Sequence, residues 1–475
     1  MIKGSIPQEL GRLRNLSKLE CFYLHENDLE GEIPDEIGDL TNLRLLSFRG
    51  NDSIPASIFT ILEHLFLDSN RITGKIPVSL SNASKITHLF FTENDVQGNI
   101  PNEFGKLHEL VWFEFEYNRI SGAIPSSLFN ISSLEILKAR HNYLNGHLPY
   151  DLGTWLPNLQ EIFLSHNQFS GDLPAAICNA SKLENLEVAN NSFTGPIPMM
   201  LGNLVDLITL NLQNNLLENN PGATRLDFLN SLVTSRNLVY LILESNPLNG
   251  IFTESIGNLS SNIRVLDAFD CGIRGSMPTN IGNLSGLIFL GLASNNIVGN
   301  VPPSFVGLQN LERLYLTGNK LEGTFPAELC SIGRLGLLHL GENRLSGETL
   351  WSTDLYIPIC PAQGSKTTRK KSIILRTAVP VAVTFLILVK KKTSCINGHL
   401  SPLDILDADL VSDIGFTIDE NQSQIKQLLV LIINVAVLCL KELPEERINM
   451  REVVVQLNKI TAELTKLLTQ IPFKI

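Results

Sequence analysis

The stretch LFLDSNRITGKIPVSLSNASKITH, residues 65–88, is one unit of a tandem repeat that fills most of the chain. Taking Asn70 as the reference, thirteen of the fourteen equivalent positions hold Asn and one holds Cys. These positions are 27, 51, 70, 94, 118, 142, 167, 191, 215, 246, 271, 295, 319 and 343. Nine of the intervals between them are 24 residues and two are 25, while the exceptions are 19 and 31. So regular a spacing predicts a stack of equivalent coils.

Each class of residue in the unit has a mechanical reason. Leu65 and Leu67 alternate with Phe66 and Asp68, which predicts a short strand with one buried face. Asn70 then turns inward, where its amide must hydrogen-bond the backbone of its own and the adjacent coil. This pattern is the signature of leucine-rich repeats. It predicts an α/β-type leucine-rich-repeat solenoid of about 14 repeats, with parallel strands on a concave face.

Composition narrows the function classes. The net charge of −11 disfavours nucleic acid as a partner. The seven cysteines show neither CxxC nor metal-ligand spacing, so we predict no metal and no cofactor. The chain also lacks the Walker A, H-E-x-x-H and G-x-S-x-G motifs. Binding is therefore the favoured function.

The flank of each repeat is more specific. A G-x-I-P step recurs, as at Ile76-Pro77, and resembles the plant-specific leucine-rich repeats of receptor-like kinases, receptor-like proteins and polygalacturonase inhibitors. The 31-residue interval contains an insertion, residues 219–232, similar to one found in the receptor-like kinases that include plant immune receptors for bacterial patterns. The resemblance implies a peptide or protein ligand, a bacterial pattern, or a co-receptor with a leucine-rich-repeat ectodomain, in plant defence signalling.

The rest of the chain changes character. We predict a solenoid over residues 1–347, a linker over 348–371 and one transmembrane helix over 372–389, where eighteen residues of helix would span roughly 27 Å. Residues 390–475 resemble the end of a receptor-like Ser/Thr kinase domain, with a cysteine-bearing helix, a P-x-x-R turn and a V-V-x-x-L helix. The resemblance implies a cytoplasmic remnant of a kinase C-lobe.

Catalysis by such a domain needs a glycine-rich loop, a strand Lys, an H-R-D loop and a D-F-G motif, and the tail has none of them. We therefore predict a non-catalytic pseudokinase tail. Residues 1–7 already form the second half of a repeat, without a signal peptide or cap, so we expect a truncated start. Location in the plasma membrane with the repeats outside rests on the resemblance and on glycosylation sequons.

Six N-x-S/T sequons share one coil position, twelve residues from a reference position, which predicts glycan acceptors on one face. They are Asn15, Asn82, Asn130, Asn179, Asn258 and Asn283. The alternative is that this Asn only belongs to the repeat consensus.

Residues four and two before each reference position are expected to face outward on the concave sheet. Aromatic side chains there are natural anchors for a ligand. The candidate ligand-binding residues are Phe66, Phe90, Glu114, Glu116, Lys138, Arg140 and Phe163. Phe66 and Phe90 are expected on adjacent strands about 4.8 Å apart. The alternatives are cross-strand ion pairs for the charged residues and tolerated surface aromatics for the others.

Three hypotheses follow for the whole chain. The first is a truncated leucine-rich-repeat receptor-like kinase that recognises a ligand but does not phosphorylate. The second is a soluble or wall-associated interaction protein, such as an inhibitor of polygalacturonase. The third is a gene fragment without a stable product.

Overall fold

The computed structural model describes residues 62–324 and 327–346, together with short stretches between residues 3 and 47 (3–4, 6–7, 18–24, 28–29, 37, 40 and 42–47). The chain divides into two compact units, Met1–Cys360 and Pro361–Ile475, and all described residues belong to the first. The predicted linker, transmembrane helix and kinase-like tail lie outside the described residues. Within those residues, no helix has the length and apolar character needed to cross a bilayer.

The described residues form fourteen parallel strands in one sheet, in chain order, which we call the main sheet. This confirms the predicted leucine-rich-repeat solenoid. The strands are Cys21–Tyr23, Leu45–Ser47, His64–Phe66, His88–Phe90, Trp112–Glu114, Ile136–Lys138, Glu161–Phe163, Asn185–Glu187, Thr209–Asn211, Tyr240–Ile242, Val265–Asp267, Phe289–Gly291, Arg313–Tyr315 and Leu337–His339.

A second set of strands, of two to five residues each, lies on the flank of the coils, at the L-x-G step. They are Lys3–Gly4, Asp28–Leu29, Gln97–Gly98, Arg119–Gly122, Tyr143–Gly146, Gln168–Asp172, Ser192–Thr194, Arg274–Ser276, Asn296–Gly299 and Lys320–Leu321. Gly74 has φ +81°, a conformation that glycine adopts without strain.

Short helices return the chain to the next strand. The 3-10 helices are Val78–Asn82, Asn102–Lys106, Leu128–Asn130, Ala175–Asn179, Leu201–Asn203, Glu254–Asn258, Thr279–Asn283, Pro303–Gly307 and Ala327–Ser331, and the α-helices are Leu152–Trp155 and Phe228–Leu232. The core lies between sheet and helices, as the pattern predicted: Leu65, Leu67 and Ile86 are fully buried, and Leu80 is 2% exposed. Because one coil cannot enclose these side chains, stability comes from stacking.

The asparagine ladder is confirmed in the described coils. Asn94 donates from Nδ2 to the carbonyl oxygens of Phe91 and Thr92 in its own coil and of Leu67 in the preceding coil, at 3.0, 3.1 and 2.9 Å. Its Oδ1 accepts the Ile72 N–H of the preceding coil at 3.0 Å. Each buried amide is therefore fully used, and it joins two coils.

The two irregular intervals leave the main sheet in register. The 31-residue interval adds the helix Phe228–Leu232, yet Leu210 still pairs with Leu241 across the strands on either side. Asn246 at the end of this interval still accepts the Leu217 N–H at 3.0 Å. In the 19-residue interval, residues 48–61 lie outside the described part, and Leu46 pairs with Leu65 on the strands at either side of it.

Cys271 takes the place of a ladder asparagine. Its Sγ lies 3.3 Å from the carbonyl oxygens of both Leu243 and Phe269, the type of acceptor that an asparagine would use there. A thiol has no equivalent of Oδ1, and the Leu248 N–H bonds the Asn246 carbonyl oxygen of its own coil instead. The coil therefore loses one tie to its neighbour.

Exchanging the two residue types tests the ladder. In Asn215→Cys the Phe193 N–H loses its 3.0 Å acceptor inside the core, so we expect a loss of about 1–3 kcal/mol in the free energy of unfolding. Cys271→Asn restores an acceptor among carbonyl groups already in place and should leave the unfolding midpoint unchanged or raise it. Thermal unfolding followed by circular dichroism measures both. Equal destabilisation by the two changes would contradict the role of the ladder.

Candidate functional site

The outer face of the main sheet is formed by alternation along each strand. In the strand His64–Phe66 the central Leu65 is buried, and the two residues beside it are partly exposed. The sequence predicted two outward-facing rows of residues, four and two residues before the ladder position. The structure shows a third row, six residues before it, which contains His64, His88 and Trp112. The alternation of buried and exposed residues along each strand predicts this row when it is extended two residues towards the N-terminus.

Five rings from three adjacent strands form a continuous surface, which we call the ring patch: His64, Phe66, His88, Phe90 and Trp112. Ring centroids of Phe66 and Phe90 are 4.9 Å apart, as the strand spacing predicted, and those of Phe90 and Trp112 are 4.8 Å apart. His64 and His88 are 4.7 Å apart, and His88 is 6.0 Å from Trp112. All five are partly exposed, so the patch offers apolar area on a fixed backbone.

Lys138 borders the ring patch. Its Nζ lies 4.9 Å from the Trp112 ring centroid and 5.3 Å from that of Phe163, within the range of cation–π attraction. Its ion pair is with Glu161 on the following strand, at 3.3 Å. Although Glu114 stands directly opposite Lys138 in the sheet register, its carboxylate instead accepts hydrogen bonds from Trp112 Nε1 and Thr92 Oγ1.

Arg140 lies over Phe163, with 4.0 Å between the guanidinium carbon and the ring centroid. Its Nη2 donates to Glu187 Oε2 at 2.8 Å, two strands away, and its Nε is 3.5 Å from Glu116 Oε1. Burial raises the pKa of Glu116, with Arg140 opposing the shift. Phe163 is only 7% exposed under this arginine, so the structure offers little of its ring to a ligand.

Two carboxylates of the outer face have strongly raised pKa values. Burial raises the pKa of Asp68 to about 6, although its Oδ1 accepts the Thr92 N–H at 2.8 Å. Burial likewise raises the pKa of Asp267 to about 6, and nearby Glu244 adds to the shift. Within the described part of the chain, neither has a lysine, arginine or histidine at ion-pair distance.

A second group of rings lies farther along the same face. Tyr315 is 5.3 Å from Phe289 and 4.5 Å from His339, measured between ring centroids, and the Arg313 guanidinium lies 5.3 Å from the Phe289 ring. Phe289 and Arg313 belong to the row six before the ladder, outside the two rows predicted from the sequence. This group is separated from the ring patch by the charged centre of the sheet.

The predicted glycan acceptors lie on a different face. Asn82, Asn130, Asn179, Asn258 and Asn283 each end a short helix opposite the main sheet, and all five are exposed. Asn15 is outside the described residues. The shared coil position is as predicted from the repeat, while modification of these side chains stays a prediction.

Comparison with known proteins gives two family matches. Residues 3–230 match the leucine-rich repeat region model, and residues 310–332 match the leucine rich repeat model. Comparison with curated protein sequences finds no significant match. The protein is thus a leucine-rich-repeat protein by both sequence and fold.

Among solved structures, the plant peptide hormone receptor RGFR1 in complex with RGF2 is similar at 27% identity and a TM-score of 0.63, over 72% of this chain and 58% of that one. The Arabidopsis receptor kinase HAESA, in complex with the peptide hormone IDA and the co-receptor SERK1, is similar at 25% and 0.58, over 72% and 64%. The GASSHO1/SCHENGEN3 ectodomain from Arabidopsis thaliana, in complex with CASPARIAN STRIP INTEGRITY FACTOR 2, is similar at 30% and 0.53, over 73% and 47%. This chain therefore spans less than two thirds of the length of each.

The raised pKa of Asp68 predicts a pH-dependent stability. Because the folded state binds this proton more tightly than the unfolded chain, the contribution of Asp68 is most favourable below about pH 4. It falls by up to about 3 kcal/mol as the pH rises through about 6. Asp68→Asn keeps an acceptor for the Thr92 N–H without the charge. We expect it to raise the unfolding midpoint at pH 7.5 and to leave it unchanged at pH 4.

Asp206→Asn, at an exposed position away from the main sheet, is the matched control and should change neither midpoint. A gain from Asp68→Asn that is the same at both pH values would show that the charge of Asp68 is not its cause.

Proposed function

We propose that this leucine-rich-repeat protein, which is similar to the ectodomains of plant receptor kinases, binds a peptide or protein ligand on the outer face of its main sheet. The observation that carries the proposal is the ring patch. Five aromatic or imidazole rings lie in contact on three neighbouring strands, partly exposed, on a backbone fixed by the ladder. Aromatic side chains bury large areas at protein interfaces, and Trp is enriched among the few residues that carry most of the binding energy.

The comparisons support a peptide in particular. RGFR1 is a plant peptide hormone receptor in complex with RGF2, and HAESA is in complex with the peptide hormone IDA and the co-receptor SERK1. On the proposal, the present chain acts likewise as the recognition part of a receptor and can engage a co-receptor with a leucine-rich-repeat ectodomain. The five described helix-end sequons lie opposite the main sheet, so glycans at those positions would leave its outer face accessible to both partners.

The proposal also includes location in the plasma membrane, with the repeats outside, and no kinase activity of the tail. The apolar run at residues 372–389 supports a single membrane pass, and the sequons support the repeats being outside. The absence of the glycine-rich loop, H-R-D and D-F-G motifs from residues 390–475 supports a chain that signals through a partner or acts as a decoy. ATP binding and phosphotransfer by the full chain would contradict this part.

Selection from a displayed random peptide library on the full chain tests ligand binding. We expect enriched peptides whose affinity falls at least about tenfold in the variant Phe66→Ala/Phe90→Ala/Trp112→Ala, because the truncated rings are the anchors. Fluorescence anisotropy of a labelled, enriched peptide provides the measurement.

The matched control is Val78→Ala/Tyr150→Ala/Val306→Ala, which removes three exposed apolar side chains elsewhere on the coils. Its affinity should match that of the unchanged protein. Either of two results would refute the proposal: no enrichment on the folded protein, or equal loss of affinity in both triple variants.

The predicted position of the glycans can be tested separately. When the chain is expressed behind a secretory signal in plant cells, peptide mapping with and without glycosidase should find glycans at the exposed helix-end positions, such as Asn82 and Asn258. Asn190 also lies in a sequon, but its side chain bonds His166 and Asn214 and should be poorly occupied. Occupancy of Asn190 above that of the helix-end positions would contradict the assignment of the faces.

A further inference from the structure

The ring patch is bordered by carboxylates that have no basic partner. Asp68 and Glu114 accept hydrogen bonds from the Thr92 N–H, Thr92 Oγ1 and Trp112 Nε1, but no cation of the described residues is at ion-pair distance from either. The mutual repulsion of the two carboxylates is one cause of the raised pKa of Asp68. The rings of Phe90 and Trp112 thus lie beside an uncompensated negative charge.

A second pair of carboxylates repeats this arrangement. Glu244 and Asp267 lie in adjacent coils, and the charge on Glu244 contributes to the raised pKa of Asp267. The pKa of Glu244 is itself raised, first by burial and then by Asp270. Tyr240 and Phe269 on the same outer rows are 42% and 37% exposed. Here too, aromatic surface accompanies unpaired negative charge.

The basic residues between the two pairs are already neutralised. Lys138 pairs with Glu161, while Arg140 pairs with Glu187 and Glu116. The centre of the outer face therefore has three carboxylates for two cations, and it has no positive charge left for an acidic ligand. Since like charges brought together cost free energy, an anionic ligand would be repelled along the whole of this stretch.

We propose that the ligand of the main sheet is a basic peptide, with Lys or Arg side chains at the Asp68–Glu114 and Glu244–Asp267 pairs and apolar side chains on the ring patch. This inference rests on the proposed function. A bound cation would relieve the repulsion within each pair and would form charge-assisted hydrogen bonds with its carboxylates. On this proposal the carboxylates select basic over acidic peptides, and the rings provide apolar contact area.

The spacing of the two pairs sets the size of the probe. Eight strand intervals separate the strand before Asp68 from the strand that ends at Asp267, which is on the order of 38 Å at about 4.8 Å each. An extended peptide of about twelve residues covers this distance at about 3.3 Å per residue. A random twelve-residue display library, selected on the full chain, is therefore the appropriate probe.

We expect the recovered peptides to be enriched in Lys and Arg and depleted in Asp and Glu relative to the starting library. The most enriched peptide, labelled for anisotropy, should bind at least about tenfold more weakly to Asp68→Asn/Glu114→Gln/Glu244→Gln/Asp267→Asn. Its affinity for the unchanged protein should fall as NaCl is raised. The variant keeps the size of each side chain, and thermal unfolding verifies that it is folded.

The control is Asp206→Asn/Glu254→Gln, which neutralises two exposed carboxylates away from the main sheet and should change the affinity less than about twofold. Recovered peptides without basic enrichment, or equal binding to the fourfold variant, overturn the basic ligand and leave the proposed function standing. If no peptide is recovered, the proposed function itself fails, and this inference fails with it.

Discussion

The hydrogen bonds of the buried asparagines are the constraint on which the other features depend. Each amide joins the backbone of two coils, so the ladder fixes how far apart the coils lie and how each is rotated on the next. The 31-residue interval shows its strength, because the insertion forms a helix on the far side while Asn246 keeps the same 3.0 Å contact with Leu217 as regular coils have. In this interval the added helix therefore leaves the ladder bond unchanged.

The ladder also determines the backbone conformation at each position of the repeat, including conformations that are strained. The residue immediately before the ladder is left-handed in most described coils without being glycine, as at Tyr117, His141 and His166, with φ of 52°, 52° and 58°. Such conformations are strained for most residues. The three rings consequently stack at 4.3 and 4.0 Å, which recovers part of the cost. The stacking of the coils thus imposes a backbone conformation that these residues do not prefer.

The repeat pattern predicted most of the backbone and only part of the site. The position of a residue within its repeat was enough to predict that Phe66 lies beside Phe90 and that the sequons share one face. It did not predict that Arg140 reaches across two strands to Glu187 and covers Phe163, because long side chains choose among rotamers that the spacing does not determine. The row containing Trp112 was missed for a simpler reason, since the alternation was not extended before the first leucine.

The rigidity of the stacked coils bears on the role of the two carboxylates without a basic partner, Asp68 and Asp267. In a globular core, neighbouring elements can shift to bring a cation to a desolvated Asp, but here the stacked coils hold the backbone under Asp68 and Asp267 in place. Their raised pKa values mean that the folded protein loses stability by holding the two charges at neutral pH. Amide side chains would serve the same backbone contacts without that loss. Carboxylates at these positions are thus better explained by what they bind than by what they stabilise.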